Sequence, residues 1–144
     1  MYTHKHIVNY YETDRMGITH HSNYVRWMEE ARVAYLNEIG WSYVRCEAMG
    51  IMSPVIGIDC KYIKSTTFAD EVFIDVYNIE FTGLKLKLAY RMKNANGEII
   101  NEATSLHCFT SPEGKLLRIK KDCPEMYDAL YNGSIEDRTL YQGQ

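Results

Sequence analysis

The stretch Leu84-Lys85-Leu86-Lys87-Leu88-Ala89-Tyr90-Arg91-Met92-Lys93 alternates apolar side chains with mostly charged ones. Successive side chains of an extended chain point to opposite faces, so this period of two predicts a β-strand with one face in a core and the other wet. Thr82 and Gly83 precede it, and Asn94-Ala95-Asn96-Gly97 follow it. Both are short turn signals that join antiparallel neighbours, so strands are expected on either side, at Val72 to Phe81 and at Ile99 to Thr110. Val55 to Ile63 reads as a further strand, and Ile7 to Thr13, with Val8, Tyr10 and Tyr11, as the first. Ser111-Pro112-Glu113-Gly114 predicts a turn before a short strand at Leu116 to Ile119.

A helix is expected to begin at Ser22 or Asn23, either of which can cap the free amides of a first turn, and to end at Gly40. Tyr24, Trp27, Met28, Ala31, Tyr35 and Ile39 recur close to the spacing of one helical face, and Val33, Ala34 and Leu36 widen it. A helix so broadly apolar must be largely enclosed, and the strands are the only other material long enough to enclose it. After Pro124, Met126, Ala129, Leu130 and Tyr131 suggest a short helix. The reading is α+β: a strand, a long helix, then an antiparallel meander, in one domain over residues 1–144.

The chain has 144 residues, 46% hydrophobic and 24% charged, enough to bury one core without metals or crosslinks. A net charge of −3 excludes a dedicated nucleic-acid binder, which needs surplus Lys and Arg to release counterions from phosphates. Cys46, Cys60, Cys108 and Cys123 form no Cys-x-x-Cys pair, so no zinc site is read from their spacing. The start of the chain lacks the apolar run of a signal peptide, and no stretch approaches the roughly 20 apolar residues that cross a bilayer. A cytoplasmic protein with reduced thiols and no membrane insertion is expected.

The segment Tyr11-Glu12-Thr13-Asp14-Arg15-Met16-Gly17-Ile18-Thr19-His20-His21-Ser22-Asn23-Tyr24, followed by Met28, Glu29, Ala31 and Arg32, resembles the 4-hydroxybenzoyl-CoA thioesterase family, including its acyl-CoA thioesterase branch associated with the Tol-Pal system. The resemblance implies the hotdog fold, a curved antiparallel sheet of five to six strands wrapped around one long helix. It also implies a homodimer or homotetramer, with protomers paired edge to edge and active sites at their interface. The activity implied is hydrolysis of acyl-CoA thioesters, short-chain or aromatic, to free acid and CoA, with no metal or cofactor. His20, where relatives often carry Tyr, and Arg15 and Met16, where small residues or Pro are common, depart from the pattern.

By the same resemblance Asp14 is the nucleophile or the general base, and the backbone amide of His21 stabilises the oxyanion. Gly17 would let substrate approach the backbone. Tyr11, His20, Asn23, Tyr24 and Met28 are expected to bind substrate. The plainer readings are that an Asp before a helix serves a turn, that the His21 ring packs, and that Tyr24, Trp27 and Met28 are core first. Adjacent side chains diverge, so His20 and His21 are not expected to hold a metal. Glu29 and Glu30 read as surface charges within reach of Arg26 and Arg32, with Glu29 a lesser catalytic candidate. Lys85, Lys87, Arg91 and Lys93 form a basic stripe that reads as a solvated strand face, with coenzyme A phosphates or an acidic carrier protein as the sharper alternative. Two other functions fit these residues: an enoyl or hydroxyacyl thioester hydratase-dehydratase using His21 with Glu29, and a non-catalytic module binding acyl-CoA or a carrier protein.

Overall fold

The computed structural model describes residues 1–143. Its strands are β1 (Tyr2–Ile7), β2 (Val55–Tyr62), β3 (Glu71–Phe81), β4 (Lys85–Lys93) and β5 (Ile99–Cys108). They form a five-stranded antiparallel sheet in the order β1-β3-β4-β5-β2. The helices are α1 (Ser22–Glu38), α2 (Tyr43–Ala48), α3 (Ile119–Asp122) and α4 (Pro124–Gln142). Register shifts at Val55/Gly57, Asn78/Glu80 and Met92/Lys93 place an extra residue on one strand. Such irregularities bend a sheet, here around α1.

The alternation in β4 holds where it matters. Leu86, Leu88, Tyr90 and Met92 are buried, as are Trp27 and Ala31 of α1, and all belong to one core cluster. The opposite face is drier than its charges suggest, because Ala89 and its cross-strand partner Tyr77 are also fully buried. The shield is α4, whose Tyr141 ring packs against Tyr77 at 5.3 Å and under the Arg91 guanidinium at 4.2 Å. Lys93 in turn pairs with Asp75 at 3.1 Å, so the expected basic stripe is partly spent inside the molecule.

The C-terminal helix is long, not short: α4 runs for 19 residues. It lies along a sheet edge. β1 pairs only with residues 71–76 of β3, leaving the rest of that strand without a neighbour on that side. There the Asn78 N–H donates to Asp137 Oδ2 at 3.0 Å, and Arg138 Nε donates to the Ile79 carbonyl at 3.0 Å. The helix satisfies backbone groups that an open edge would leave unpaired. Its buried positions pass from Met126 and Leu130 to Ser134 and Asp137, which is why an apolar periodicity fades halfway along.

The first strand lies earlier than expected, at residues 2–7, and residues 10–12 form a 3-10 turn. The Glu12 carboxylate accepts the Asn9 N–H at 2.8 Å and pulls the chain round, outweighing the strand preference of two tyrosines. Tyr10 and Tyr11 consequently stand in solvent. Leu116 makes only an isolated bridge with Thr110, and Ile119 opens α3 instead of closing a strand. α2 is an unforeseen helical turn, capped by Ser42 Oγ accepting from the Arg45 N–H. Gly40 takes φ +87° just beyond α1, the left-handed conformation that ends helices.

Candidate active site

Between the 3-10 turn and α1 the chain folds back on itself. Thr13 and Thr19 pair across a short antiparallel bridge, and the Asp14 N–H donates to the Ile18 carbonyl at 2.9 Å. The tip is a turn in which the Gly17 N–H donates to the Asp14 carbonyl and Asp14 Oδ1 accepts the Met16 N–H at 2.8 Å. Gly17 takes φ +77°, and a Cβ there would meet nothing within 4 Å, so its dihedral, not space, requires glycine. The loop rests on the segment before β3. Thr19 Oγ1 and Thr66 Oγ1 lie 2.6 Å apart, and Thr67 Oγ1 donates to the Gly17 carbonyl at 2.7 Å. Asp14 is left half-buried, with one carboxylate oxygen engaged by the turn.

The start of α1 is capped differently from the expectation. Neither Ser22 nor Asn23 occupies the cap; that position is His21, which makes no side-chain cap bond. The His20 ring supplies the acceptor, its Nδ1 taking the Ser22 N–H at 3.2 Å and lying 2.8 Å from Ser22 Oγ. Asn23 turns back instead, donating from Nδ2 to the carbonyls of Glu12 at 2.9 Å and His20 at 3.2 Å. The amides of Asn23 and Tyr24 go to the carbonyls of His20 and His21, while the His21 N–H donates to no acceptor among the described residues. A free amide at the positive end of a 17-residue helix is suited to an anionic oxygen. The His20 and His21 rings do not diverge: their centroids lie 4.2 Å apart.

Tyr62, which the sequence reading passed over, completes the wall. Its hydroxyl donates to the His21 carbonyl at 3.2 Å, and its ring meets Tyr24 edge-on at 5.3 Å. Tyr24 is buried, with its hydroxyl 3.1 Å from Thr66 Oγ1, and burial holds its phenol above the ordinary value. The only sequence trace of Tyr62 is an aromatic at a strand end. One loop thus carries Asp14 and Gly17 in its turn and runs on into His20, His21, Asn23 and Tyr24 at the start of α1. Tyr11 lies apart, 78% exposed, and Met28 points into the core.

Glu29 is an exposed charge paired with Arg32, as its spacing predicts. Arg32, itself buried, donates to both Glu29 oxygens at 2.8 and 2.9 Å, and the Tyr43 hydroxyl donates at 2.8 Å. Burial raises the Glu29 carboxyl, but these bonds and the arginine charge outweigh it and hold it below the usual value. Glu29 and Arg32 line a cavity of about 280 Å³ with Leu36, Ile51, Phe109 and Met126. The cavity runs from the middle of α1 into its far half, and its nearest α1 residue, Glu29, lies about 12 Å along the axis from His21 at the helical rise. Next to it, His107 is fully buried and 2.7 Å from Ser105 Oγ. Burial and the Arg32 charge pull its ring down to about 4, so it is neutral.

The sequence profile of the thioesterase-like superfamily matches residues 8–130, spanning the Asp14 loop, α1 and the whole meander. The chain belongs to the thioesterase-like superfamily. Among its relatives is a Bacillus subtilis (strain 168) protein provisionally named as the acyl-CoA thioesterase YneP. It is 33% identical over 123 residues, which are 85% of this chain and 89% of that one. A provisionally named esterase of Aquifex aeolicus is 34% identical over 83% of this chain and 91% of its own. The crystal structure of a DHNA-CoA thioesterase from Staphylococcus aureus superposes with a TM-score of 0.89 at 26% identity, covering 99% of this chain and 94% of that one. The superfamily's fold here is the hotdog: a bent five-stranded antiparallel sheet around α1, with α4 added along one edge. No helix among the described residues is long and apolar enough to cross a membrane.

Proposed function

We propose that this chain hydrolyses acyl-CoA thioesters to free acid and CoA, with Asp14 as nucleophile or general base and the His21 amide as oxyanion donor. The observation that carries the reading is that a carboxylate and an unengaged amide are presented by one short loop at the open end of α1. As nucleophile, Asp14 adds to the thioester carbon, the oxyanion is held at the His21 amide, and collapse expels the CoA thiolate. The resulting mixed anhydride is then cleaved by water. As base, Asp14 takes a proton from a water that attacks the same carbon; collapse then breaks the carbon–sulfur bond, and the departing CoA thiolate takes up the proton. In both courses water is the only co-reactant, so no cofactor is required.

The resemblance carried by the Tyr11 to Tyr24 motif supports membership of the 4-hydroxybenzoyl-CoA thioesterase family, in the branch associated with the Tol-Pal system, and with it short-chain or aromatic acyl groups. The likeness to a DHNA-CoA thioesterase supports the aromatic choice. A homodimer or a dimer of dimers is supported by β2, which pairs only with β5 and exposes Val55, Ile56, Ile58 and Tyr62 by 42 to 48%. An apolar edge strand of this kind calls for a partner. Two-fold pairing of one strand with its copy exchanges its ends. The Tyr62 end, beside His21 and Tyr24, would then face the partner's Val55 end, beside Glu29 and Arg32.

The test is thiol release from benzoyl-CoA and hexanoyl-CoA by the wild type and by Asp14→Asn, which keeps size and removes charge. Turnover by the wild type and none by the folded variant is expected. Near-normal hydrolysis by the variant would rule out the role of Asp14. Ligand-induced thermal stabilisation with no thiol released by the wild type would favour the binding-module alternative.

A further inference from the structure

We infer that Glu12 is the positioning residue of this site, setting the Asp14 loop against the amide of His21; the inference rests on the roles proposed above for those two residues. Glu12 is 4% exposed and stands two positions before Asp14. Its carboxylate is held from three directions. His6 Nε2 of β1 lies 2.8 Å from Oε1, and the Asn9 N–H donates to the same oxygen at 2.8 Å. The Trp27 indole N–H of α1 donates to Oε2 at 2.7 Å. Its carbonyl is engaged as well, accepting the His20 N–H at 2.8 Å and Asn23 Nδ2 at 2.9 Å.

One residue therefore connects every part whose relative placement the chemistry needs. The carboxylate end fixes the root of the Asp14 loop to β1 and to the second turn of α1. The carbonyl end fixes the two residues that flank His21 and Ser22. Burial raises the Glu12 carboxyl, yet the bonds from Asn9, Trp27 and His6 outweigh it, and Glu12 is held as an anion. An anion is what this arrangement needs, since only a carboxylate offers acceptors to His6, Asn9 and Trp27 together. Glu12 is buried from the reacting atoms and acts through Asp14 and His21 without touching substrate.

The test is steady-state thiol release from benzoyl-CoA by Glu12→Gln, Trp27→Phe and the double variant, with kcat referred to folded protein and Asp14→Asn run alongside. Gln at position 12 turns an amide donor toward either the indole or the His6 and Asn9 donors, so the loop shifts while its volume stays. The expected result is a kcat lower by roughly 10- to 100-fold, with KM within about threefold of wild type. Trp27→Phe, which removes only the indole donor, loses a few-fold, and the double variant loses no more than Glu12→Gln alone. A role in stability alone would lower the folded fraction and leave kcat per folded molecule at the wild-type value. That result, or losses that multiply in the double variant, overturns the inference. Should Glu12→Gln not fold, an unchanged kcat in folded Trp27→Phe overturns it instead. An inactive Asp14→Asn beside a fully active Glu12→Gln removes the positioning role alone, whereas an active Asp14→Asn removes the catalytic reading and this one with it.

Discussion

The Tyr62 hydroxyl donates to the main-chain carbonyl of His21 at 3.2 Å, tying the last residue of β2 to the residue whose amide faces the open end of α1. A half-exposed bond of this kind is worth about 0.5–1 kcal/mol net. Tyr62→Phe keeps the ring contacts with Tyr24 and loses only that tether. The expected outcome is a kcat lower by roughly two- to fivefold with a thermal midpoint lower by about 1–4 °C, read by thiol release and a melting curve.

Gly17 and Gly97 take φ +77° and +79°, and a Cβ at either meets nothing within 4 Å. Alanine at each position therefore costs backbone strain alone, about 1–2 kcal/mol. Gly17→Ala and Gly97→Ala should lower stability equally in denaturant titrations. Only Gly17→Ala should also lower kcat, because its strain is relieved by moving the turn that carries Asp14.

His107 supplies a pH dependence of known sign. Its ring is neutral when folded, held down to about 4 by burial and Arg32, whereas in the unfolded chain it titrates near the ordinary histidine value of about 6.5. As pH falls through that window the unfolded state takes up a proton that the folded state refuses, so stability present above about 6.5 is lost toward 4. The full shift corresponds to up to about 3 kcal/mol. Urea titrations at pH 7 and pH 5 should show the decline in wild type. His107→Gln should flatten this part of the profile, and an unchanged slope in that variant would assign the decline to other groups.

Ile58 lies mid-strand on the open edge of β2 and is 48% exposed. A lysine there leaves the pairing with β5 intact but places a charge where a second β2 would dock. Sedimentation of the wild type at twice or four times the chain mass, and of folded Ile58→Lys at the chain mass, is expected. Thioester cleavage should fall together with the assembly.

The β4 stretch and the Tyr24 to Ile39 face were legible because both depend on local periodicity, and burial in the core obeyed it. The candidate site came from the resemblance carried by the Tyr11 to Tyr24 stretch, because on spacing alone an Asp before a helix reads as a turn residue. Misreadings fell where a particular polar bond, and not side-chain type, decided the outcome. Tyr10 and Tyr11 favour a strand by side-chain type, but the carboxylate of Glu12 takes the amide of Asn9 and closes a turn. Ser22 and Asn23 are good caps in isolation, yet the ring of His20 and the carbonyl of Glu12 engage them first.

From its amino-acid order alone this protein was determined to be a helix packed on an antiparallel meander, with a carboxylate loop at the head of that helix, since periodicity and short-range spacing are properties of the chain itself. Only the tertiary structure decided that α4 closes the free edge of β3, that Tyr43 donates to Glu29, and that Glu12 ties β1, the Asp14 loop and α1 together. Those contacts join different elements of the fold through single polar atoms. A hydrogen bond between two such groups leaves no periodic trace in a chain, and is settled only once packing has brought donor and acceptor within reach.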